Sequence, residues 1–228
     1  MLDQMTITLC IETSSAHCSV ALAIEETVFA NTRLLKRAHN EHLLTMLDQV
    51  YRNAGISPRH TELVGFSCGP GSFTGVRIGT AVGQAVAVAS NAAMVPVPSP
   101  LVWALNWHKE HEGHGAASSD DVLVSVRSRG EAYYLTHYRV NVHVLDPLHE
   151  TELVSDMPDW ALAASAIVGD MPPWLPHDMQ STFIADVVPH ASVMVEVARI
   201  TFARGDSVAP AFGLPTYIQG DSPWRRKG

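Results

Sequence analysis

The chain has 228 residues, enough for one large domain or two of roughly 100 residues, so a packed core needs no disulfide or zinc staple. Its 46% hydrophobic and 17% charged content at mean hydropathy +0.08 excludes a disordered chain. Net charge is −8, with 6 Lys and Arg against 7 Asp and Glu in residues 1–108 and 9 against 16 in the remainder, which excludes a strong stand-alone nucleic-acid binder, because that affinity comes mainly from neutralised phosphates.

The start, Met1 to Met5, has no basic stretch leading into a leucine-rich run, which predicts no signal peptide. The most apolar run, residues 80–89, is about half the roughly 20 residues a membrane helix needs. A cytoplasmic protein without a membrane span is expected. Cys10, Cys18 and Cys68 are an odd set with no CxxC spacing, and are expected as reduced thiols that pack like small apolar residues.

Residues 6–12, 17–23 and 27–33 predict three short strands in an antiparallel meander, broken by Thr13-Ser14-Ser15-Ala16 and by a turn near Glu25-Glu26. Asn40 is the predicted N-cap of a helix in which Leu43, Leu44, Leu47, Val50, Tyr51 and Ala54 recur at helical spacing until Gly55, with Pro58 just beyond. A compact strand at 63–68 runs into the turn Gly69-Pro70-Gly71-Ser72-Phe73-Thr74-Gly75, a second helix over 76–90 and a fifth strand at 94–98. The order β-β-β-α-β-α-β predicts a mixed sheet with right-handed crossovers. It resembles the ribonuclease H-like order of the actin and sugar-kinase ATPase superfamily. Residues 109–121 turn polar and small, which places a boundary there: 1–108 as a ribonuclease H-like lobe and 109–228 as a second, degenerate α/β lobe. In that second half the pattern is weaker, with strands expected at 122–126, 132–138 and 167–169 and helices at 159–165 and 191–204.

Two loops carry candidate chemistry. Glycines at a strand-to-helix turn leave backbone N–H groups aimed at a phosphate-sized space, so Gly69, Gly71 and Ser72 are candidate phosphate contacts. Gly75 is followed by Val76 and Arg77 rather than the Lys of a P-loop, Thr74 breaks GxGxxG, and Pro70 breaks GxSxG, so a structural turn is the default reading of the loop and anion binding the alternative. Thr13, Ser14 and Ser15, next to Glu12, offer hydroxyls to a nucleotide phosphate or its magnesium, or are simply turn residues. The spacings His39/His42 and His108/His111/His114 do not form HExxH, and solvated histidines are the default over a metal site.

The second helix is unusual. Its one charge is Arg77, and Gly79, Gly83, Ala81, Ala85, Ala87 and Ala89 make it small or apolar on every side. Such a helix is covered twice, once by its own sheet and once by the second lobe or by a partner helix.

The strings ITLCIETSSAHCSVAL, RAHNEHLLTMLDQVYRNAGI and GFSCGPGSFTGVRIGTAVGQAVAVA, in this order, closely resemble the TsaB family of tRNA threonylcarbamoyladenosine biosynthesis proteins over residues 6–105. Beyond that stretch, Pro215-Thr216-Tyr217-Ile218 is similar to the family's terminal P-x-Y-[LI]-R, with Gln219 for the Arg, and Glu12 stands where the family has Asp. The resemblance implies a two-lobed, actin-like (ASKHA) α/β fold with mixed sheets flanked by helices. It also implies a non-catalytic platform for a TsaD-like catalytic subunit that threonylcarbamoylates the adenosine next to the anticodon of ANN-decoding tRNAs. A TsaE-like ATPase completes the partners, tRNA is met only through the complex, and ATP and metal are expected on the partner subunits, with no tightly bound cofactor here. Where the catalytic paralogue carries its NHxxGH histidines this chain has Ser99-Pro100-Leu101-Val102-Trp103-Ala104.

The same resemblance, with the helix argument, implies a homodimer when the chain is alone. The expected interface is His39, His42, Leu43, Met46, Leu47 and Val50 on the first helix and Arg77, Thr80, Ala81, Gln84, Ala85 and Val88 on the second. The competing function is a stand-alone ATP-dependent phosphotransferase of the same superfamily or a metallopeptidase-like enzyme.

Overall fold

The structure, a computed structural model, describes residues 6–36, 38–111, 121–139 and 147–218. Its contacts divide the chain into two units, one of residues up to Val102 with Pro189–Pro215, the other centred on Trp103–Val188.

The first unit is built on a five-stranded sheet in which β1 (Thr8–Glu12), β2 (His17–Ile24) and β3 (Thr27–Leu34) form an antiparallel meander. Parallel to β1 lies β4 (Leu63–Gly69), and parallel to β4 lies β5 (Ala93–Pro98), giving the order β3-β2-β1-β4-β5. Every residue of β1 and β4 is buried, as their continuous apolar runs require of central strands covered on both faces. The two parallel steps are made by α1 (His39–Ala54) and α2 (Phe73–Ser90).

α1 starts two residues earlier than its sequence predicts. Ala38 is the N-cap without any side-chain bond, and Asn40 sits exposed inside the first turn. The helix stops at Gly55, whose φ of +71° lets its N–H reach Arg52 O at 3.1 Å while Ile56 N–H reaches Tyr51 O at 3.2 Å. Leu43, Met46, Leu47, Val50 and Tyr51 join Leu9, Ile11, Val64, Phe66 and Met94 in one core cluster.

The expected single boundary after residue 108 does not hold. α3 (Ser99–His111) runs through it, and the contacts divide inside that helix. Moreover α4 (Met194–Ala203) returns to the first unit, where Met194, Val195, Val197 and Ala198 are buried. It packs on the face of the sheet opposite α2: a Cβ at Gly65 would meet Cys10 Sγ on one side and Ala198 Cβ on the other, whereas one at Gly83 would meet Val64 and Met94. Arg199 fixes it there, donating to Thr8 Oγ1, Glu25 O and Thr6 O at 3.2, 2.9 and 2.9 Å. Val208 then pairs with Met94 at the start of β5.

The second unit repeats the order of the first. Its meander is β6 (Asp121–Arg127), β7 (Tyr133–Arg139) and β8 (Pro147–Val154), with β9 (Ala166–Gly169) parallel to β6 and β10 (Phe183–Ile184) parallel to β9. Written from the meander edge, β8-β7-β6-β9-β10 mirrors β3-β2-β1-β4-β5. The crossovers differ. The helix expected at 159–165 is only a 3₁₀ turn at Asp159–Ala161, and the next crossover holds a 3₁₀ stretch at His177–Thr182. Ala161, Ala164, Leu175 and Met179 cover the sheet in place of a second helical pair.

Candidate functional site

The turn after β1 and the Gly-rich loop after β4 are neighbours, because β1 and β4 are parallel and both end on the same edge. Their polar groups serve each other. Ser72 N–H donates to Ser14 O at 2.7 Å, Thr13 Oγ1 donates to Gly75 O at 2.9 Å, and Thr13 N–H donates to Ser67 Oγ at 3.2 Å. Ser72 Oγ accepts from Gly75 N–H at 3.2 Å and so caps α2, Ser99 Oγ accepts from Gly69 N–H at 3.1 Å, and Ser15 Oγ accepts from His17 N–H at 3.0 Å. Of the six loop residues expected as phosphate contacts, Thr13, Ser14, Gly71 and Ser72 are thus brought together, with Gly71 close enough to Ser14 that a Cβ would fall 2.5 Å from its carbonyl oxygen, while Ser15 bonds back to β2 and Gly69 to Ser99.

Glu12 closes this arrangement from beneath. It is fully buried, and its Oε1 accepts from both Ser14 N–H at 2.5 Å and Ser14 Oγ–H at 2.6 Å. Burial pushes its carboxyl up to about 7, against the Ser14 hydrogen bonds and the nearby Ser67 hydroxyl, which favour the charge. A carboxylate turned inward in this way does not present itself to a magnesium ion outside.

Helix α2 presses its glycines onto this turn. A Cβ at Gly75 would come within 2.0 Å of Thr13 O and one at Gly79 within 2.2 Å of Thr13 Oγ1, so the Gly75, Gly79, Gly83 stripe faces the helix's own sheet rather than a partner. Thr80, expected at an interface, is buried on that side as well. The opposite crest, Ala81, Ala85, Val88 and Ala89, is exposed, Val88 at 70%. On one flank Ile78, Val82 and Val86 pack on the cluster that α1 enters, and on the other Gln84 Nε2 donates to Pro210 O at 2.9 Å. Arg77 lays its guanidinium 3.3 Å above the Phe73 ring.

On α1 the expected interface set is mostly corrected. His39, Leu43, Met46, Leu47 and Val50 are buried in the unit's own core, because their side of the helix lies on the sheet, and His39 Nε2 is 3.0 Å from His17 O. His42 is half-buried. The residue that faces outward is Leu44, 65% exposed, which the sequence pattern merged with the Leu43 and Leu47 stripe although it lies about 100° round the helix from Leu43. Phe212, 72% exposed just after the Gln84 contact, was also missed, since nothing in its neighbourhood has a period.

At the positions that the family resemblance set against metal-binding histidines, Leu101 is buried, Trp103 is buried, and Ser99 is engaged with Gly69. His111 stacks on Trp107 within α3, and His114 lies outside the described residues. Among the described residues no three His, Cys, Asp or Glu side chains are arranged to hold a metal ion. All three cysteines are free and buried.

Comparison with known proteins fits this geometry. The family model described as TsaD: tRNA N6-adenosine threonylcarbamoyltransferase matches residues 24–155, more than half of the chain. The chain belongs to that family. Within it, the chain is similar to the tRNA threonylcarbamoyladenosine biosynthesis protein TsaB of Escherichia coli (strain K12), 27% identical over 96% of both chains. It is 22% identical to TsaB of Haemophilus influenzae, over 96% of this chain and 95% of that one. Among solved structures, YeaZ from Pseudomonas aeruginosa superimposes with a TM-score of 0.78 at 24% identity, covering 94% of this chain and all of that one. An uncharacterized protein with similarity to peptidase YeaZ, from Pseudomonas aeruginosa, gives 0.79 at 25% identity over the same share. The two-lobed ASKHA-like α/β fold expected of a TsaB relative is therefore the fold observed. Among the described residues no helix is long and apolar enough to cross a membrane.

Proposed function

We propose that, within threonylcarbamoyladenosine biosynthesis, the chain is a non-catalytic binding and scaffold subunit that works through a TsaD-like catalytic partner. That partner holds the metal and transfers the threonylcarbamoyl group to the adenosine beside the anticodon of ANN-decoding tRNAs. A TsaE-like ATPase and its ATP belong to the same machinery, and tRNA meets this chain only in the complex. Without partners, the chain pairs with a second copy through the same helices.

The exposed crest of α2 carries this reading. Ala81, Ala85, Val88 and Ala89 form an uncharged face on a helix whose other face already rests on its own sheet, and Leu44 of α1 is a further exposed apolar residue in the same helical layer. Contiguous apolar surface of that kind marks a protein contact, and small residues let a second helix come close. The internal pairing of the turn and the Gly-rich loop supports a platform over a phosphotransferase, because Ser72 N–H, Gly69 N–H and Gly75 N–H each already have a protein acceptor.

The test is reconstitution. The chain, the catalytic partner and their mixture are each given tRNA and threonylcarbamoyl-adenylate, and modified nucleoside is counted. The expected result is none from the chain alone and a gain in the mixture that Val88→Glu removes. Turnover by the chain alone contradicts the proposal.

A further inference from the structure

The Glu12 carboxyl has a geometry that the scaffold reading leaves unused. Oε1 takes both hydrogen bonds, from Ser14 N–H and Ser14 Oγ–H, while Oε2, equally buried, has no hydrogen-bond partner among the described residues. A buried oxygen without a donor costs far more as half of a carboxylate than as the hydroxyl of a neutral acid. The turn that covers it is joined to the Gly-rich loop by Ser72 N–H to Ser14 O and by Thr13 Oγ1–H to Gly75 O, and Gly75 lies in the first turn of α2.

We propose that Glu12 carries a proton in the folded protein and acts as a latch, so that losing the proton loosens the pairing of the 12–15 turn with the Gly69–Gly75 loop and with the first turn of α2. Ionisation leaves a fully buried charge at Oε2 that no hydrogen bond meets and only the Ser67 hydroxyl approaches, and the turn hydrogen-bonded to Oε1 is the part whose movement admits water. The charged and titratable groups around the carboxyl do not supply a counter-charge by direct contact. From β2, Cys18 is a thiol pushed up to about 12 and has Arg33 near it; His17, also on β2, is held below its ordinary value by burial and by His190 and His39. From the segment before α4, His190 Nδ1 is engaged with Thr32 Oγ1 at 3.0 Å; from α4, Arg199 is bound at the far end of β1; and on α2, Arg77 lies over Phe73. Ser67 on β4 brings a hydroxyl.

The sign follows directly. With its folded value pushed from 4.5 up to about 7, the carboxyl binds its proton ~300-fold more tightly folded than unfolded. Its contribution is fully present below about pH 4.5, is lost as pH rises towards 7, and is flat above. The midpoint lies where modest changes of pH alter the population of the closed loops.

The experiment is a carbon-detected NMR titration of the Glu12 carboxyl in the full chain, assigned by its disappearance in Glu12→Gln, with amide exchange at Ser72 and Gly75 followed over the same range. Expected are a midpoint near 7 and a rise in exchange at both amides, beyond the intrinsic pH effect, with that same midpoint. In Glu12→Gln the extra rise disappears. Should that variant not fold, Ser14→Ala serves for assignment, since loss of the hydroxyl that favours the charge moves the midpoint further up. A midpoint in the ordinary carboxylate range overturns the proposal, and so does a midpoint near 7 with exchange at Ser72 and Gly75 unchanged. Neither outcome depends on a partner, so either leaves the scaffold reading standing.

Discussion

Gly79→Ala tests how α2 is seated. A Cβ at this position falls 2.2 Å from Thr13 Oγ1, while Ile11 Cγ2 and Thr13 Cβ are both at 3.4 Å, so one atom carries the whole conflict. Relief to an ordinary contact of about 3.4 Å needs a shift of about 1 Å. Thr13 Oγ1 cannot turn away without giving up its bond to Gly75 O. Overpacking of this kind costs about 1–3 kcal/mol and the lost bond about 1 kcal/mol, against a gain of up to about 1 kcal/mol from the better helix propensity of alanine. Gly79→Ala should therefore destabilise the protein by about 1–3 kcal/mol. In a Thr13→Ala background the conflicting atom is absent, and the same substitution should be neutral or stabilising by up to about 1 kcal/mol. Urea unfolding of the four proteins followed by circular dichroism gives a coupling of about 2 kcal/mol if the account is right. Equal costs in both backgrounds, or no cost beside Thr13, would refute the close seating of α2 on the turn.

Arg199→Met removes the donor that joins Thr8 Oγ1, Thr6 O and Glu25 O, and should cost about 1–3 kcal/mol and raise amide exchange in α4 before the rest of the first unit; unchanged exchange in α4 would show that these bonds do not anchor it. Burial pushes the Cys10 and Cys18 thiols up to about 12, and Cys68 is buried too, so native protein at pH 8 should react slowly with Ellman's reagent and release all three thiols only on unfolding; rapid native labelling of one would contradict their burial.

The first lobe was legible in the sequence because each of its elements has a strong local signal. Continuous apolar runs gave β1 and β4, the Gly55 stop gave the end of α1, and the turn residues 13–16 and 25–26 gave the meander. The second unit was less legible because its sheet is covered by short 3₁₀ turns, which have no period of 3.6 residues, and because β8 (PLHETELV) alternates in burial but not in hydropathy. α3 was hidden by Pro100 and by its mixture of tryptophans and polar residues, so its end was read as linker. The return of α4 to the first sheet is a long-range event that no local pattern records.

The site divides along the same line. The two loops stand out by composition, yet that their hydroxyls and amides bond to each other depends on the parallel pairing of β1 with β4, which lies between residues about 55 apart. On α2 the sequence shows small residues all round and does not say which go inward. The structure assigns Gly75, Gly79 and Gly83 to the sheet and leaves Ala81, Ala85 and Val88 outside. On α1 the apolar stripe itself was correct, but a stripe marks the side facing the sheet, so Leu43, Met46, Leu47 and Val50 are core and Leu44 is the exposed member.

The central claim is that the outward face of α2 is a protein contact. Sedimentation equilibrium of the chain, with and without the TsaD-like catalytic partner, on the native protein and on Ala85→Glu and Val88→Glu, tests it most directly, with thermal melts in parallel. Burying an unpaired carboxylate at a contact costs about 3 kcal/mol or more, over about 100-fold in Kd, while an exposed position tolerates it. The account predicts that the native chain dimerises alone and pairs with the partner, and that both variants are monomers that no longer pair, still unfold cooperatively, and melt below the native chain by no more than the dimer's concentration-dependent contribution. Variants that still associate, or a native chain that is monomeric and ignores the partner, would contradict it.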